Sequence, residues 1–419
     1  MVPGGFVVLY RGELPIRRTT SGSTGVLTVD SEEKTLAYPE KVSALLEEGQ
    51  SLWLDTLSRY LMDSGELSRL IHSVGIRGIT SNPAIFEKAV SGSRDYDEEI
   101  RQLAGNGDPP EDILRRLMTE DVRRACDLFL PVFRSTGGGD GFVSIEVSPL
   151  LADRTEDSVE EARRLHKMVD RPNLFVKIPG TEAGFPAIRK LVSEGISVNV
   201  TLLFSPEAYR KSALAYIEGL ESFVSKGKNP SLVTSVASLF VSRLDTLIDR
   251  ELDEVCQSAV SPLSSERARA LRGKAGIANA RIVYQIFREI FAKEDFARLA
   301  ARGARLQRPL WASTGTKNPE YSDVLYIESL IGPDTVNTLP IETLYAFLDH
   351  GTVRRSIDMG DGTSVTGTDS PQSVLGKISR LGLSVESVYS RLLQEGIAGF
   401  DASYKNLLAR IVQKSGGRI

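Results

Sequence analysis

Three short runs place ionisable groups where a folded chain seldom tolerates them. Lys177 stands in Phe175-Val176-Lys177-Ile178, Glu146 in Val143-Ser144-Ile145-Glu146-Val147, and Asp55 ends Leu52-Trp53-Leu54-Asp55. A lysine taken out of water is costly to keep charged. Desolvation favours the neutral amine, which attacks carbonyls. Schiff-base chemistry on such a lysine needs two helpers. One shuttles protons during dehydration of the carbinolamine, and the other takes the proton of the substrate hydroxyl whose loss breaks a C–C bond. Glu146 and Asp55 are the two carboxylates available. A buried ion pair of Lys177 with either of them explains the lysine as well, although a static pair needs only one partner. Asn199 and Thr201, in Val198-Asn199-Val200-Thr201-Leu202, add a polar pair. Asn82, Ser238 and Ser313 lie in or just after further apolar runs.

Such groups need strands to aim them. Side chains alternate faces along a strand, so Ser144 and Glu146 share one face while Val143, Ile145 and Val147 share the other. Phe175 with Lys177, Asn199 with Thr201, and Trp53 with Asp55 divide in the same way. Ser238 fits either face of its run. The candidate strands are Leu52–Asp55, Gly78–Ser81, Phe142–Val147, Leu174–Ile178, Val198–Leu203, Thr234–Phe240, Leu310–Ser313 and Val336–Leu339. They alternate with helical stretches, which predicts an α/β protein with a parallel sheet. Eight is the number that closes a single (β/α)8 TIM-type barrel, whose active site opens at the C-terminal ends of the strands. An open doubly wound sheet would want a glycine-rich turn after its first strand. Asp55-Thr56-Leu57-Ser58 is not one, Gly137-Gly138-Gly139 precedes a strand, and no GxxxxGK[ST] occurs.

Composition agrees with a globular enzyme. The chain has 419 residues, 41% hydrophobic and 25% charged, so disordered and fibrous classes are excluded for its bulk. Fifty-one Lys and Arg against 55 Asp and Glu give a net charge of −4, which offers nothing to nucleic acid or an anionic membrane. No apolar run approaches the ~20 residues of a membrane span. Cys126 and Cys256 have no ligand spacing and read as buried thiols of a cytoplasmic protein. His72, His166 and His350 are scattered, which argues against a zinc centre. Residues 1–38, with Arg11, Arg17, Arg18 and a Thr/Ser/Gly run, read as an irregular extension. Residues 39–419 read as one barrel domain with C-terminal helices. Val385, Val388, Tyr389 and Leu392 are expected on one of these and Tyr404, Leu407, Leu408 and Ile411 on another. The charged stretch Glu87–Arg134 would cap the mouth or pack outside it. Asp245–Val255 reads as a solvated helix face, and Ala278–Phe296 as a helix whose stripe of Val283, Ile286, Phe287, Ile290 and Phe291 is core or an interface.

Several of these runs also resemble the transaldolase family, in its longer-chain branch. The motifs are LDTLSR at Asp55, GITSNPAIF from Gly78 to Phe86, VSIEVSP at Glu146, FVKIPGTEAG at Lys177 and GISVNVTLLFS at Thr201. SVASLFVSRLD at Ser238 and Arg243, and WASTGTKNPEY, follow in the family's order. The likeness extends from about Glu47 to the C-terminal helices. It implies a cofactor-free transferase of the non-oxidative pentose phosphate pathway. Such an enzyme moves dihydroxyacetone from sedoheptulose 7-phosphate to glyceraldehyde 3-phosphate. Lys177 would form the Schiff base, Glu146 would act through a water held by Thr201, and Asp55 would take the C4 hydroxyl proton. Asn82, Asn199 and Ser238 would hold the dihydroxyacetone unit, and Arg243 and Ser313 the distal phosphate. The family's arginine shortly after Ser313 is missing. Lys317 either replaces it as a point charge or belongs to an ordinary loop. The implied partners are sugar phosphates only, and the assembly a monomer or homodimer, with no metal. An aldolase of the same fold, releasing free dihydroxyacetone, is the nearest rival, but fructose 6-phosphate aldolases place a tyrosine at the shuttle position held here by Glu146. A metal-dependent lyase and a non-catalytic sugar-phosphate binder are the other classes; the histidines speak against the first and the four catalytic-type residues against the second.

Overall fold

Period-two alternation is realised in eight parallel strands that close on themselves in chain order. The structure, a computed structural model, describes residues 38–258, 262–358 and 370–416. The strands are β1 (Gln50–Leu54), β2 (Gly78–Ile79), β3 (Phe142–Glu146), β4 (Leu174–Pro179), β5 (Val198–Leu203), β6 (Ser235–Phe240), β7 (Gln307–Ala312) and β8 (Thr335–Leu339). The chain is therefore a (β/α)8 barrel, as its strand count predicts. Asp55, Ser81 and Ser313, expected as strand ends, lie just beyond them, because a C-terminal strand end turns outward into the mouth. The anticipated extension falls almost wholly on residues 1–37, outside the described residues.

Leu52, Leu54, Val143, Ile145, Val176, Ile178, Val198 and Val200 are buried and pack with the surrounding helices in one apolar cluster. A second cluster fills the barrel. In it Trp53, Phe142 and Phe175 stack, with ring centroids 4.2 Å apart for Phe142 and Phe175 and 6.1 Å for Trp53 and Phe175. Gly78 on β2 makes this layer possible, since a Cβ there would lie 2.5 Å from the Trp53 ring. Below the aromatics the barrel is shut by polar groups. Asp140 accepts from Ser51 Oγ (2.5 Å) and Trp53 Nε1 (3.1 Å), and Arg308 reaches Asp140 at 3.3 Å and Ser51 at 2.7 Å.

The helix Pro110–Ser135 buries Ile113, Leu117, Val122, Cys126 and Phe129 and packs outside β3, so the charged stretch is an outer layer of the barrel. The mouth is flanked instead by the C-terminal helix, Val385–Lys414, which packs on the helix Pro83–Gly92 and on β5. Here the structure corrects the sequence reading. Val385–Leu392 and Tyr404–Ile411 lie on one continuous helix, and the other C-terminal helix is Pro371–Arg380. Gly396 does not break it, because its bare Cα is the surface that meets Leu202. Two smaller corrections concern burial. Asp245 and Asp249 are buried rather than solvated, Asp249 accepting from Tyr321 Oη at 2.7 Å and Gly273 N at 2.9 Å. Cys126 is buried as expected, but Cys256 is only partly so. The helix Ala275–Phe291 buries Val283, Phe287, Ile290 and Phe291 of the apolar stripe, with Ile286 partly buried. It ends at Phe291 rather than Phe296, which belongs to a separate helix, Glu294–Ala300.

Candidate active site

Register builds the centre of the mouth. Glu146 on β3 pairs with Lys177 on β4, and Lys177 with Asn199 on β5, so the three side chains form one inward layer above the aromatics. Lys177 and Glu146 are 4% and 5% exposed. Lys177 Nζ lies 3.0 Å from Glu146 Oε2 and donates to Ser81 O at 3.1 Å. The buried ion pair that the sequence allowed is thus present, with Glu146 as the partner of Lys177. Burial pushes the Glu146 carboxyl above its usual range; Lys177 opposes that, and Asp55 adds to it. A buried ion pair of this kind is costly to desolvate, and each member depends on the other as its partner. In a low-dielectric site a neutral form of either is easier to reach than in water.

Asp55 leaves β1 at the rim, its backbone N–H donating to Leu339 O at 2.8 Å. Its Oδ1 accepts from Thr80 Oγ1 at 2.7 Å. Burial raises its pKa, while Thr80, Lys177, Arg243 and Lys317 all pull it back down. Asn199 is held at both ends: Oδ1 accepts from Ser238 Oγ (2.7 Å), and Nδ2 donates to Ser144 Oγ (3.0 Å). Ser238 therefore faces inward, which sequence parity left open. Asn82 follows β2 and caps the helix Pro83–Gly92, its Oδ1 accepting from Ile85 N at 3.0 Å. Among the described residues, Thr201 Oγ1 is a buried oxygen with no hydrogen-bond partner, and Glu146 Oε2 has the Lys177 ammonium as its one close partner. Both are open to a further polar group.

A cationic rim lies above. Arg243 opens the helix Ser242–Ser258, with its guanidinium carbon 5.1 Å from the Phe240 ring centre. No described carboxylate lies within ion-pair distance of it. Burial lowers its pKa, opposed by Asp55, Glu146 and Glu395. Ser313, in left-handed backbone at φ 55°, shares a 3.0 Å contact with Ser242 Oγ. A non-glycine residue in that region is strained by ~1 kcal/mol or more. Lys317 is exposed on the following loop, near enough to act on Asp55. Glu146, Lys177, Thr201 and Ser238 thus lie in the C-terminal halves of their strands, and Asn199 lies deeper within β5. Asp55, Asn82, Ser313 and Lys317 follow their strands, and Arg243 stands on the helix after β6. Sequence reading put Ser144 on the face of Glu146 but did not single out Thr80, Ser81, Thr338 or Ser242.

Among the described residues no group of three or more His, Cys, Asp or Glu is placed to hold a metal ion, and no helix is long and apolar enough to cross a membrane. Residues 52–411 match the family model described as Transaldolase/Fructose-6-phosphate aldolase. A transaldolase of Mycobacterium tuberculosis is 46% identical over 374 residues, covering 89% of this chain and 96% of that protein. One from Mycolicibacterium smegmatis is 46% identical over 374 residues, covering 89% and 97%.

Proposed function

The chain belongs to the transaldolase/fructose-6-phosphate aldolase family, an enzyme of the transaldolase class, and from that premise we propose the following reaction. Lys177 forms a Schiff base with a ketose phosphate, and a dihydroxyacetone unit passes from sedoheptulose 7-phosphate to glyceraldehyde 3-phosphate. Erythrose 4-phosphate and fructose 6-phosphate are released, as in the non-oxidative pentose phosphate pathway of the cytoplasm. The observation that carries this reading is the buried Lys177–Glu146 pair at 3.0 Å, with Asp55 held at the same mouth by Thr80.

Glu146 takes a proton from Lys177, and the free amine attacks the donor carbonyl. Glu146 then returns protons through a water held by Thr201, so that the carbinolamine loses hydroxide as water. The imine forms with no charge stranded in the barrel. Asp55 removes the C4 hydroxyl proton, the C3–C4 bond breaks, and its electrons pass into the protonated imine as an enamine. Asn199 offers its second Nδ2 hydrogen to the dihydroxyacetone unit, and Asn82 its amide N–H groups. Arg243, with Ser313 and Lys317, takes the phosphate. A guanidinium without a carboxylate partner suits that task, since a bidentate anion restores its fork.

Borohydride reduction in the presence of fructose 6-phosphate tests this. One three-carbon adduct is expected on the peptide containing Phe175–Pro179, and none with Lys177→Arg, whose guanidinium is a poor nucleophile. An adduct on another lysine, or a fully active arginine variant, overturns the mechanism. Release of dihydroxyacetone into water in preference to its transfer to an aldose phosphate overturns the acceptor.

A further inference from the structure

Thr80 has one proton and three oxygens around it. Asp55 Oδ1 is 2.7 Å away, Thr338 Oγ1 is 2.9 Å, and Leu54 O is 3.3 Å. The shortest contact, to a carboxylate, takes the proton. The Thr338 hydroxyl then donates into the lone pair that Thr80 has left. Thr80 and Thr338 are 3% and 2% exposed, so water does not replace either partner. We propose that Thr338 and Thr80 form a two-hydroxyl relay, running from β8 past the end of β2 to the end of β1, that aims Asp55 and keeps it ionised for its step. This inference rests on the reading of Asp55 as the base of C–C cleavage.

The geometry gives the relay a direction. Asp55 is fixed at its backbone by Leu339 O, but its carboxylate has no other side-chain donor among the described residues. Its rotation is therefore set by Thr80. Thr80 is in turn prevented from swinging to Leu54 O by the hydroxyl of Thr338, since successive hydroxyls polarise one another in one sense. Thr338 is itself anchored, its carbonyl accepting from Thr314 Oγ1 at 3.0 Å. Lys177 from β4, Glu146 from β3, Arg243 after β6 and Lys317 after β7 are the charged groups that act on Asp55. Three cations and one carboxylate set its ionisation beside the hydroxyl. Both threonines are positioning residues, because neither is placed here against substrate.

Thr80→Val keeps the shape and removes the donor. A hydrogen bond to a charged group of this kind supports an effect of roughly tenfold to a hundredfold on kcat, with donor KM near wild type. The carboxylate loses a partner that favours its ionised form, so the acid limb of the kcat profile moves to higher pH. Reduction with borohydride and fructose 6-phosphate should trap the uncleaved six-carbon adduct in place of the three-carbon one. Thr80→Ser should restore kcat, the acid limb and the three-carbon adduct. Thr338→Val should move the limb in the same direction by less, and it carries the test should Thr80→Val fail to fold. An unmoved acid limb in both valine variants, or a serine variant as impaired as the valine, overturns the relay. Asp55→Ala separates the two ideas: normal turnover there removes Asp55 as the base, whereas a dead Asp55→Ala beside a normal Thr80→Val removes the relay alone.

Discussion

One proton decides what the central lysine is. Lys177 and Glu146 lie 3.0 Å apart, both almost fully buried, and in the proposed reaction the pair serves as acid and base by turns. Glu146→Gln removes the acceptor but keeps the shape. It is expected to slow both imine formation and imine hydrolysis by ~10²–10⁴-fold, the usual contribution of a positioned acid–base group. Rapid-quench trapping with borohydride measures the first rate and burst kinetics the second. A loss below about tenfold in both would mean that another group carries the proton. The ionisable members of the site were legible in the sequence, because a charge inside an apolar run is improbable by composition alone. Thr80 and Thr338 were not, since a threonine in a strand is ordinary. Only the register of β1 on β8 and the turn after β2 bring their hydroxyls together.

Elements supply residues with two duties. Asn82 follows β2 and caps the helix Pro83–Gly92 with its Oδ1, while in the proposed reaction its amide hydrogens hold the substrate. Substitution can separate these. Asn82→Ala loses the cap, at about 1 kcal/mol, together with the amide donors. Asn82→Asp keeps an oxygen for Ile85 N and adds a negative charge at a helix N-terminus. It should melt near the wild type while its donor KM rises. Thermal unfolding and steady-state kinetics on the two variants read the duties apart, and equal melting losses would show that the cap contributes little. The C-terminal helix was the element least legible in advance. Its two apolar groups read as two helices; Gly396 and Gly399 lie between them, and glycine does weaken a helix. Tertiary packing reverses the balance, because Gly396 lies where Leu202 would meet any larger side chain, 3.0 Å from the position of a Cβ.

At the scale of the molecule the barrel has two ends with opposite needs. The upper end holds the charges that the proposed reaction would use. The lower end holds Asp140 and Arg308, paired with each other and locked between Ser51, Trp53 and the carbonyl of Thr335. Arg308→Met leaves Asp140 without its cation beneath the aromatic layer. The expected cost is about 3 kcal/mol, near the lower end for a broken buried pair, with kinetic constants close to wild type. Urea unfolding and a standard assay check this together, and a change in kcat without a change in stability would tie the lower end to catalysis. The closed parallel topology was legible because eight alternating strand–helix units leave few other arrangements. The flanking of the mouth was not, since nothing in local pattern says which helix returns across it.

The seam between β1 and β8 has a consequence for biosynthesis. β1 lies along β8 in register from Gln50 to Leu54, whereas β2, its other neighbour, is only two residues long. On the ribosome β1 emerges early and β8 late. For most of translation Leu52, Trp53 and Leu54 therefore wait on an open sheet edge, the kind of surface that invites pairing with other chains. The backbone partner of Asp55 and the outer hydroxyl of its relay both arrive with β8. A nascent chain stopped before Thr335 would carry Lys177 and Glu146 but not the restraint on the base. Truncated products of this gene should be clients for chaperones, not slower enzymes.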